Sequence, residues 1–395
     1  MGVTTATFDQ ALKDTFEPMA KDQLNLNTSA FFNKVLQTEL NIELGKRVVK
    51  PAPYGVNGGF GAGAETAPLP TPGGNKFAQF ISGIKDLRGV ISFTDKVMKA
   101  SKGSRAAWES AMTTEMDGIL KHAKMSYGRM AYTDGTGKLT LTGIANASLT
   151  VAVASTQYLI EGMTIDIYDV ANALIVNGTG RRIKNVNRAA KTIVLDGTAT
   201  VTTIATGYIT EQGALNNELT GMEAVYAQTG TLYGLAKADY SWLIPYSQSA
   251  VGAIDDGIIV DTINFVEDFY GSTIDLLVAN PAVYSEYFRY LRDGKRTNDT
   301  LILAGGFKAL TVNAVPMVKD KNVKSGALKL LDTTQWKMHT FGDWGWMDDD
   351  GKILKWVSNY AMYQAILIKY AELICDHPGG QAELTGITTS TTLFD

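Results

Sequence analysis

A segment rich in proline and glycine constrains the fold of this chain most strongly. Five of the ten prolines, together with five glycines, lie between residues 51 and 72. Proline cannot donate a backbone hydrogen bond and glycine loses the most entropy on ordering, so a regular helix or an internal strand is disfavoured here. Loops of this length are uncommon inside compact domains. We therefore predict an arm or extended loop between residues 51 and 72 that makes its contacts outside its own fold.

The residues on either side of this segment predict short elements. Two strand-like runs follow it, at residues 77–84 and 87–97, and the Lys85-Asp86 pair between them predicts a long hairpin. Before it, apolar spacing predicts short helices over residues 7–20 and 28–44. Neither helix is long enough to be stable alone. We therefore interpret residues 1–48 as an N-terminal arm.

A long helix is predicted after the extended loop. Apolar residues recur at a spacing close to that of an α-helix, which forms one stripe. The residues of the stripe are Trp108, Met112, Met116, Ile119, Ala123, Tyr127 and Met130. Ser104 is a suitable N-cap and Asp134-Gly135 a suitable stop. About 28 residues at ~1.5 Å each give a helix of roughly 42 Å, either a spine across a domain or an ordinary long core helix.

Residues 139–212 differ in composition from the rest of the chain. They include thirteen threonines and no proline, tryptophan or phenylalanine, and alternating runs are separated by glycine-containing turns. We predict an all-β insertion. Five basic and five acidic residues balance there, which favours a solvated strand surface over a nucleic-acid patch.

The remainder of the chain mixes helix and strand signals. We predict a helix over 261–270, a buried strand over 273–278, and a helix capped by Asn280 and continuing to Arg292. Further strands are predicted at 310–318, 327–331 and 357–375. The Asp348-Asp349-Asp350-Gly351 sequence predicts a tight hairpin turn between strands at 338–347 and 353–357.

Composition excludes several classes of protein. The net charge is −4 and only 19% of residues are charged, which disfavours general nucleic-acid binding. A single cysteine, Cys375, excludes an intrachain disulfide and a Cys-rich metal site. No signal peptide is apparent. The longest apolar segment, residues 360–375, is too short and too polar to span a bilayer.

No catalytic, cofactor-binding or metal-binding residues are predicted. The glycines from Gly58 to Gly63 lack the Lys-Ser/Thr ending of a phosphate loop, and residues 134–138 follow a helix where a phosphate loop follows a strand. Asp343 with Asp348, Asp349 and Asp350 could hold a hard cation, but the spacing does not match a Ca²⁺ loop, so a hairpin tip is favoured.

The histidines and the cysteine are also interpreted as structural. His122 lies beside two lysines and is predicted to be a surface residue. His339 and His377 have no nucleophile or carboxylate arranged around them in the sequence. Cys375 lies in an apolar strand and is predicted to be a small buried hydrophobe.

The order of these parts resembles the major capsid proteins of tailed bacteriophages, the Hong Kong ninety-seven type fold shared with encapsulin shells. Residues 50–97 occupy the position of that family's extended loop, and residues 104–132 that of its spine helix. Residues 275–284 (DLLVANPAVY) followed by Gly306-Phe307 are similar to its axial domain. Residues 340–344 (TFGDW) through Tyr370-Ala371-Glu372 are similar to its final peripheral strands.

The resemblance implies an α+β fold with an N-terminal arm, extended loop, spine helix, peripheral and axial domains, and an all-β insertion domain. The implied division is an arm at 1–48, an extended loop at 49–100, peripheral-domain segments at 101–138 and 213–245, an inserted β domain at 139–212, an axial domain at 246–335, and peripheral strands with the C-terminus at 336–395.

The resemblance also implies a structural function without enzymatic activity. Such a chain would self-assemble into hexamers and pentamers of an icosahedral virion head, assembled in the host bacterial cytoplasm, that encloses double-stranded DNA without sequence-specific binding. Implied partners are a separate scaffolding protein, a portal and a possible decoration protein, with no membrane and no cofactor. The alternatives are an encapsulin-like cargo shell, a tail or adhesin-type virion protein, and an enzyme of unknown type.

Some members of the family crosslink a loop lysine to a neighbour's asparagine, with a glutamate acting as base. Lys76 or Lys85 with Asn359 are the candidates that the resemblance suggests, but no local motif identifies them. We therefore expect no crosslink.

Overall fold

The computed structural model describes residues 30–36, 40–41, 46–66, 68–100, 105–144, 147–198, 200–293, 300–302, 308–348 and 351–390. The predicted helix over residues 7–20 lies outside these ranges. So do the Ser104 cap, the Gly306-Phe307 turn, and Asp349 with Asp350.

Six α-helices are described. They are α1 Ala30–Leu36, α2 Asp95–Ala100, α3 Arg105–Met130, α4 Met222–Tyr226, α5 Asp256–Tyr270 and α6 Pro281–Asp293. The first four strands are β1 Leu40–Asn41, β2 Arg47–Gly55, β3 Lys76–Gly83 and β4 Lys85–Thr94. The next six are β5 Lys138–Ile144, β6 Thr150–Val153, β7 Thr164–Asp169, β8 Arg181–Asn187, β9 Thr192–Leu195 and β10 Ile204–Glu211.

The remaining strands belong to the second half of the chain. They are β11 Thr231–Leu232, β12 Leu235–Ala236, β13 Tyr246–Gln248, β14 Leu276–Ala279, β15 Thr300–Ile302, β16 Lys308–Val312, β17 Val315–Lys319 and β18 Leu328–Leu331. They continue with β19 Trp336–Thr340, β20 Gly345–Trp346, β21 Lys355–Trp356, β22 Met362–Cys375 and β23 Ala382–Leu384.

The long helix α3 packs on a six-stranded sheet, as the apolar stripe predicts. Met112, Met116 and Leu120 are buried against β4 and β22, and Tyr127 is buried nearer the helix end. The strand β4 lies close beneath the helix, because a Cβ on Gly89 would come within 2.9 Å of Ile119. Helix and sheet therefore form two layers around one apolar core.

The edge of this sheet departs from the predicted hairpin at Asp348–Gly351. A turn is present, because the Gly351 N–H donates to the Asp348 carbonyl, but β20 and β21 both pair with β22. Together with β19 they form one interrupted strand along the same edge of β22. The long strand β22 provides a continuous row of hydrogen-bonding groups. Within the described residues, the short strands β19, β20 and β21 therefore each pair with β22 and not with one another.

The predicted hairpin at Lys85-Asp86 is wrong. Strand β3 pairs with β2, which belongs to the proline-rich segment, and β4 pairs with β22. Lys85 and Asp86 are therefore the start of β4, and the chain changes partner without turning back. Pro51 and Pro53 are compatible with β2, because each strand of a two-stranded ribbon has one edge free of partners.

The all-β insertion is a closed barrel of six antiparallel strands in the order β10-β5-β6-β9-β8-β7. Its interior is filled by β-branched and other aliphatic side chains, among them Val151, Ile165 and Ile193. Threonines alternate with these residues along the strands, which explains the composition of this stretch. The barrel follows α3 directly in the chain and returns at β10.

A seven-stranded sheet has the order β13-β23-β18-β14-β17-β16-β15 and packs with α5 and α6. Asn280 caps α6 as predicted, since its Oδ1 accepts from the Ala282 N–H at 3.0 Å. The predicted single strand over 310–318 is two strands, β16 and β17, joined by Asn313 and Ala314. Both residues have positive φ, as a tight hairpin turn requires.

The two ends of the described chain also differ from expectation. Strand β23, predicted with the peripheral strands, pairs with β13 and β18 in the seven-stranded sheet. Of the residues predicted as a helix over 28–44, the structure describes a helix at Ala30–Leu36, while Leu40–Asn41 form β1 and pair with β19 in the six-stranded sheet. Phe31 is buried against Trp336 and Tyr132, so this part of the arm packs on its own subunit.

Candidate assembly interface

The extended loop ends in an apolar tip. Of the described residues from 56 to 75, all except Gly59 are exposed. Three large apolar side chains are almost fully in water, with exposed fractions of 90% for Val56, 95% for Phe60 and 92% for Leu69. Exposed clusters of this kind mark surfaces that bind another molecule. We call residues 56–75 the tip.

The base of the loop is held firmly by the same subunit. The Tyr54 ring stacks on Trp242 with ring centroids 5.7 Å apart, and Phe80 packs on both Trp242 and Tyr233. The Lys50 ammonium contacts the Asp376 carboxylate at 2.8 Å. A rigid base holds the tip in a fixed direction and lowers the entropy lost when the tip binds.

The six-stranded sheet has a second surface on the face opposite α3, where apolar residues lie beside the exposed Arg88–Asp86 ion pair. Val90 and Tyr370 are exposed there, and Ile366, paired with Val90, and Ile368 are half-buried. Antiparallel neighbours directly opposite each other point to the same face of a sheet. We call Val90, Ile366, Ile368 and Tyr370 the open sheet face.

A charged cluster joins α3 to the barrel. Arg129 is almost fully buried and donates to Glu218 Oε1 at 2.6 Å and to Glu211 Oε2 at 3.0 Å. Ser126 Oγ donates to Glu211 Oε2 at 2.6 Å, and His122 Nε2 is bonded to Glu211 Oε1. Three residues of one helix face therefore hold the end of β10. We call this set the spine–barrel cluster.

The cluster shifts the protonation of its members. Although burial opposes ionisation, the hydrogen bond from His122 and the Arg129 charge lower the pKa of Glu211 to about 2. The hydrogen bond to Glu211 raises the pKa of His122. Both shifts favour the charged pair, so the contact between α3 and β10 is ionic near neutral pH.

The barrel is also docked on the loop that follows β17. The Gln157 side-chain amide donates to the Val323 carbonyl at 2.9 Å, and the Tyr158 hydroxyl donates to the Asn322 carbonyl at 2.7 Å. Tyr132, just after α3, donates to Asp320 at 2.8 Å. Spine helix, barrel and seven-stranded sheet therefore meet at one junction.

The three histidines and the cysteine, which are interpreted from the sequence as structural, lie in different environments. His122 is not a simple surface residue, because it belongs to the spine–barrel cluster with 36% of its side chain exposed. His339 is buried in β19, and burial lowers its pKa to about 4. Burial also lowers the pKa of His377 and raises that of Cys375. The Cys375 N–H donates to the Tyr233 hydroxyl at 2.9 Å.

The aspartates considered as cation ligands are only partly described. The Asp343 carboxylate is 3.8 Å from the Lys369 ammonium, while Asp349 and Asp350 lie outside the described residues. Within the described ranges, no group of three or more acidic, histidine or cysteine side chains is arranged to hold a metal ion. No described helix combines the length and hydrophobicity needed to cross a membrane.

The crosslinking candidates lie far apart within one subunit. Lys85 pairs with Ala371 near the end of β22, while Asn359 lies in the turn before its start, roughly 40 Å away at ~3.3 Å per residue. Lys85 Nζ also donates to the Asn216 carbonyl at 2.8 Å. Lys76 is exposed at the start of β3. The expectation that no crosslink forms between subunits stays a prediction, because contacts within one subunit do not test it.

Sequence reasoning missed the spine–barrel cluster because its partners are 82 to 89 residues apart. A signal was nevertheless present. His122, Ser126 and Arg129 recur at helical spacing beside the apolar stripe of α3, and a polar row ending in arginine on a core helix indicates buried charged partners.

The histidine of the cluster predicts a pH-dependent stability. A histidine whose pKa is raised by folding contributes fully below its unfolded pKa of about 6.5, and this contribution is lost as the pH rises through the raised value. We expect His122→Gln to cost about 1 kcal/mol or less at pH 5.5, since the side chain is over one-third exposed, and still less at pH 9. Urea unfolding followed by circular dichroism measures both values.

The exposed Lys121 provides the control for this measurement, since Lys121→Gln should show no such difference between the two pH values. An H122Q cost that grows with pH would contradict the assignment. Below pH 4.5 the Glu211 contribution is lost in turn as the pH approaches 2, so the comparison is made above that range.

Comparisons with known proteins agree with this architecture. No family model matches the chain, and no curated protein matches it. A chain of the cyanophage A-1(L) capsid asymmetric unit is similar with a TM-score of 0.58 at 10% identity, covering 92% of this chain and 93% of that one. The SrpI encapsulin of Synechococcus elongatus PCC 7942 has a TM-score of 0.47 at 9% identity, covering 94% and 96%. The procapsid of satellite phage P4 has a TM-score of 0.45 at 9% identity, covering 95% and 99%.

The chain has the fold of the tailed-phage major capsid proteins. The predicted α+β class with its extended loop, spine helix and all-β insertion is therefore confirmed.

Proposed function

We propose that this chain is the subunit of a closed protein shell, the head of a tailed bacteriophage. The observation that carries the proposal is the apolar tip on an anchored base. The tip has no contact with its own subunit that would bury Phe60 or Leu69, and burial of such side chains contributes about 1.5–3 kcal/mol each. A single copy does not gain the burial energy of these side chains, but a copy whose tip packs against another copy does.

The open sheet face is the surface that the tip of a second copy would cover. It offers aliphatic and aromatic groups on a rigid sheet, and Phe341 extends it by packing on Tyr370 with ring centroids 6.1 Å apart. Tip and face are different surfaces of one subunit, so their contact is heterologous. Heterologous contacts repeat from copy to copy, and they give a closed assembly where the rotation between copies closes.

The proposal extends to the arrangement of the copies in the shell and to its contents. The copies would form hexamers and pentamers of an icosahedral head that encloses double-stranded DNA. A net charge of −4 suits such a container, because a strongly basic inner surface would bind the DNA and hinder its release. A separate scaffolding protein, a portal and possibly a decoration protein would join the assembly in the host cytoplasm. The proposed role is structural, and the tip acts by packing alone.

Electron microscopy of the chain, expressed alone and with a scaffolding protein, tests the proposal. We expect closed icosahedral particles. Only monomers or small rings under both conditions would overturn it. Particles that contain an enzyme cargo and no DNA in infected cells would favour the encapsulin-like alternative.

The tip itself is tested by Phe60→Ser combined with Leu69→Ser. We expect subunits with an unchanged circular dichroism spectrum that no longer form particles. The two changes remove about 3 kcal/mol or more from each tip contact, which weakens that contact by roughly a hundredfold or more. Sedimentation and electron microscopy measure the loss of particles.

The control for this experiment changes the same loop without removing its apolar groups. Thr66→Ala with Thr71→Ala alters two exposed residues of the tip and should leave assembly intact. Normal particles from the serine variant would mean that the tip does not hold subunits together.

A further inference from the structure

A cavity of about 290 Å³ lies at the junction of the spine helix, the barrel and the loop after β17. Its wall includes four groups that carry or can carry positive charge: His122, Arg129, Arg188 and Lys321. None of the described residues that line it is a carboxylate, although the chain as a whole is acidic. The other polar wall groups come from serine, asparagine, glutamine and tyrosine.

Two of these cations are already neutralised behind the wall. Arg129 and His122 pair with Glu211 and Glu218 in the spine–barrel cluster. That pairing leaves Arg188 and Lys321 as the excess charge of the cavity. Among the described residues, neither is within salt-bridge distance of a carboxylate: Arg188 donates to the carbonyls of Thr156 at 2.9 Å and Leu159 at 3.3 Å.

Two further features lie at the wall. Arg129 lines the cavity, and its Nε is buried without a hydrogen-bond partner among the described residues. Helix α6 begins at the wall with Asn280 and Pro281, and the N-terminal end of a helix carries partial positive charge. The two cations without a described carboxylate partner, Arg188 and Lys321, repel each other, and a bound anion relieves that repulsion.

We propose that this cavity binds a small doubly charged oxyanion, a phosphate group, between Arg188 of the barrel and Lys321 of the loop after β17. A dianion balances the two excess positive charges, and phosphate oxygens accept several hydrogen bonds at once. The volume lies at the lower end of the range for ligand pockets, which suits a free phosphate or a small phosphorylated molecule better than a polymer.

The bound phosphate would stabilise the docked position of the barrel. Arg188 is in the barrel, Lys321 follows the seven-stranded sheet, and the cavity floor is α3, so one ion would connect all three parts. This site is independent of the tip and the open sheet face, and the inference holds whether or not the chain forms a shell.

Phosphate binding by the full-length chain tests the proposal. Thermal unfolding is followed while inorganic phosphate is added, with sodium chloride at matched ionic strength as the reference, and isothermal titration calorimetry gives the affinity. We expect a saturable rise in Tm with phosphate and none with chloride. AMP is titrated in parallel, and tighter binding of AMP would identify a phosphorylated molecule as the ligand source.

The variant Lys321→Gln tests the site, because the Lys321 side chain is exposed and the substitution keeps the backbone carbonyl that accepts from Gln157. We expect phosphate affinity to fall about tenfold or more, as for loss of a charged hydrogen bond. Lys184→Gln, an exposed barrel lysine away from the cavity, is the matched control and should bind normally.

Any one of the following results would overturn the proposal. The rise in Tm does not saturate with phosphate up to about 100 times the millimolar range expected of weak oxyanion sites. Chloride has an equal effect, or the K321Q variant binds phosphate with unchanged affinity. Binding of an oligonucleotide without binding of free phosphate or AMP would also reject a small-anion site. Particle formation, scored separately by electron microscopy, distinguishes failure of this inference from failure of the proposed function.

Discussion

Replacing Arg129 with methionine is expected to lower the free energy of unfolding by about 3–5 kcal/mol, because it removes the cation that two buried carboxylates share. Glu218 is almost completely buried, and both of its oxygens accept from Arg129, at 2.6 and 2.9 Å. Without the guanidinium, Glu218 must either stay charged in an apolar setting or take up a proton. Urea unfolding followed by circular dichroism measures the cost.

Two further variants test whether the cost of Arg129→Met comes from leaving a buried carboxylate without its cation. Arg88→Met removes an exposed arginine that contacts Asp86 at 2.5 Å, and we expect a cost below about 1 kcal/mol. Adding Glu218→Gln to Arg129→Met should recover part of the loss, since one orphaned charge disappears. If R88M and R129M cost the same, the spine–barrel cluster does not stabilise the fold in the way we describe.

The second large effect is expected for Lys329→Met, again about 3–5 kcal/mol. The buried Lys329 ammonium lies 2.8 Å from Glu223, 2.5 Å from Glu383 and 4.3 Å from the centre of the Tyr226 ring. It therefore joins α4, β18 and the last strand β23. Urea unfolding gives the global cost, and hydrogen exchange of the segment containing β23 shows whether that strand is released.

Lys324 provides a close control, because it contacts the same Glu223 at 2.5 Å from an exposed position. We expect Lys324→Met to cost less than about 1 kcal/mol and to leave hydrogen exchange of β23 unchanged. Equal costs for the two lysines would show that burial of the charge at position 329 does not matter.

The helices and the barrel could be predicted because their signals are local. The apolar stripe from Met112 to Met130 has the period of a helix, and Asn280-Pro281 forms a cap that depends only on its neighbours. The threonine-rich composition of residues 139–212 similarly predicts strands, since each alternates between two faces.

Strand pairing could not be predicted to the same degree, because it depends on partners that are distant in sequence. Lys85-Asp86 looks like a turn between strands, yet β4 finds its partner about 280 residues later in β22. The turn at Asn313-Ala314 was hidden inside an apolar run, because alanine rarely adopts positive φ. Predicting the junction cavity needs both kinds of information, since its wall combines a helix, a barrel loop and the loop that connects β17 to β18.

The position of β23 has a consequence for the order of events during synthesis. Strand β13 is made before β23, but its partner in the described sheet is β23 alone, more than a hundred residues later. The chain must therefore leave the ribosome as far as β23 before β13 can pair in this sheet. A nascent chain carries its exposed tip early and completes this sheet last, so a truncated product lacks β23 and leaves β13 as an open edge.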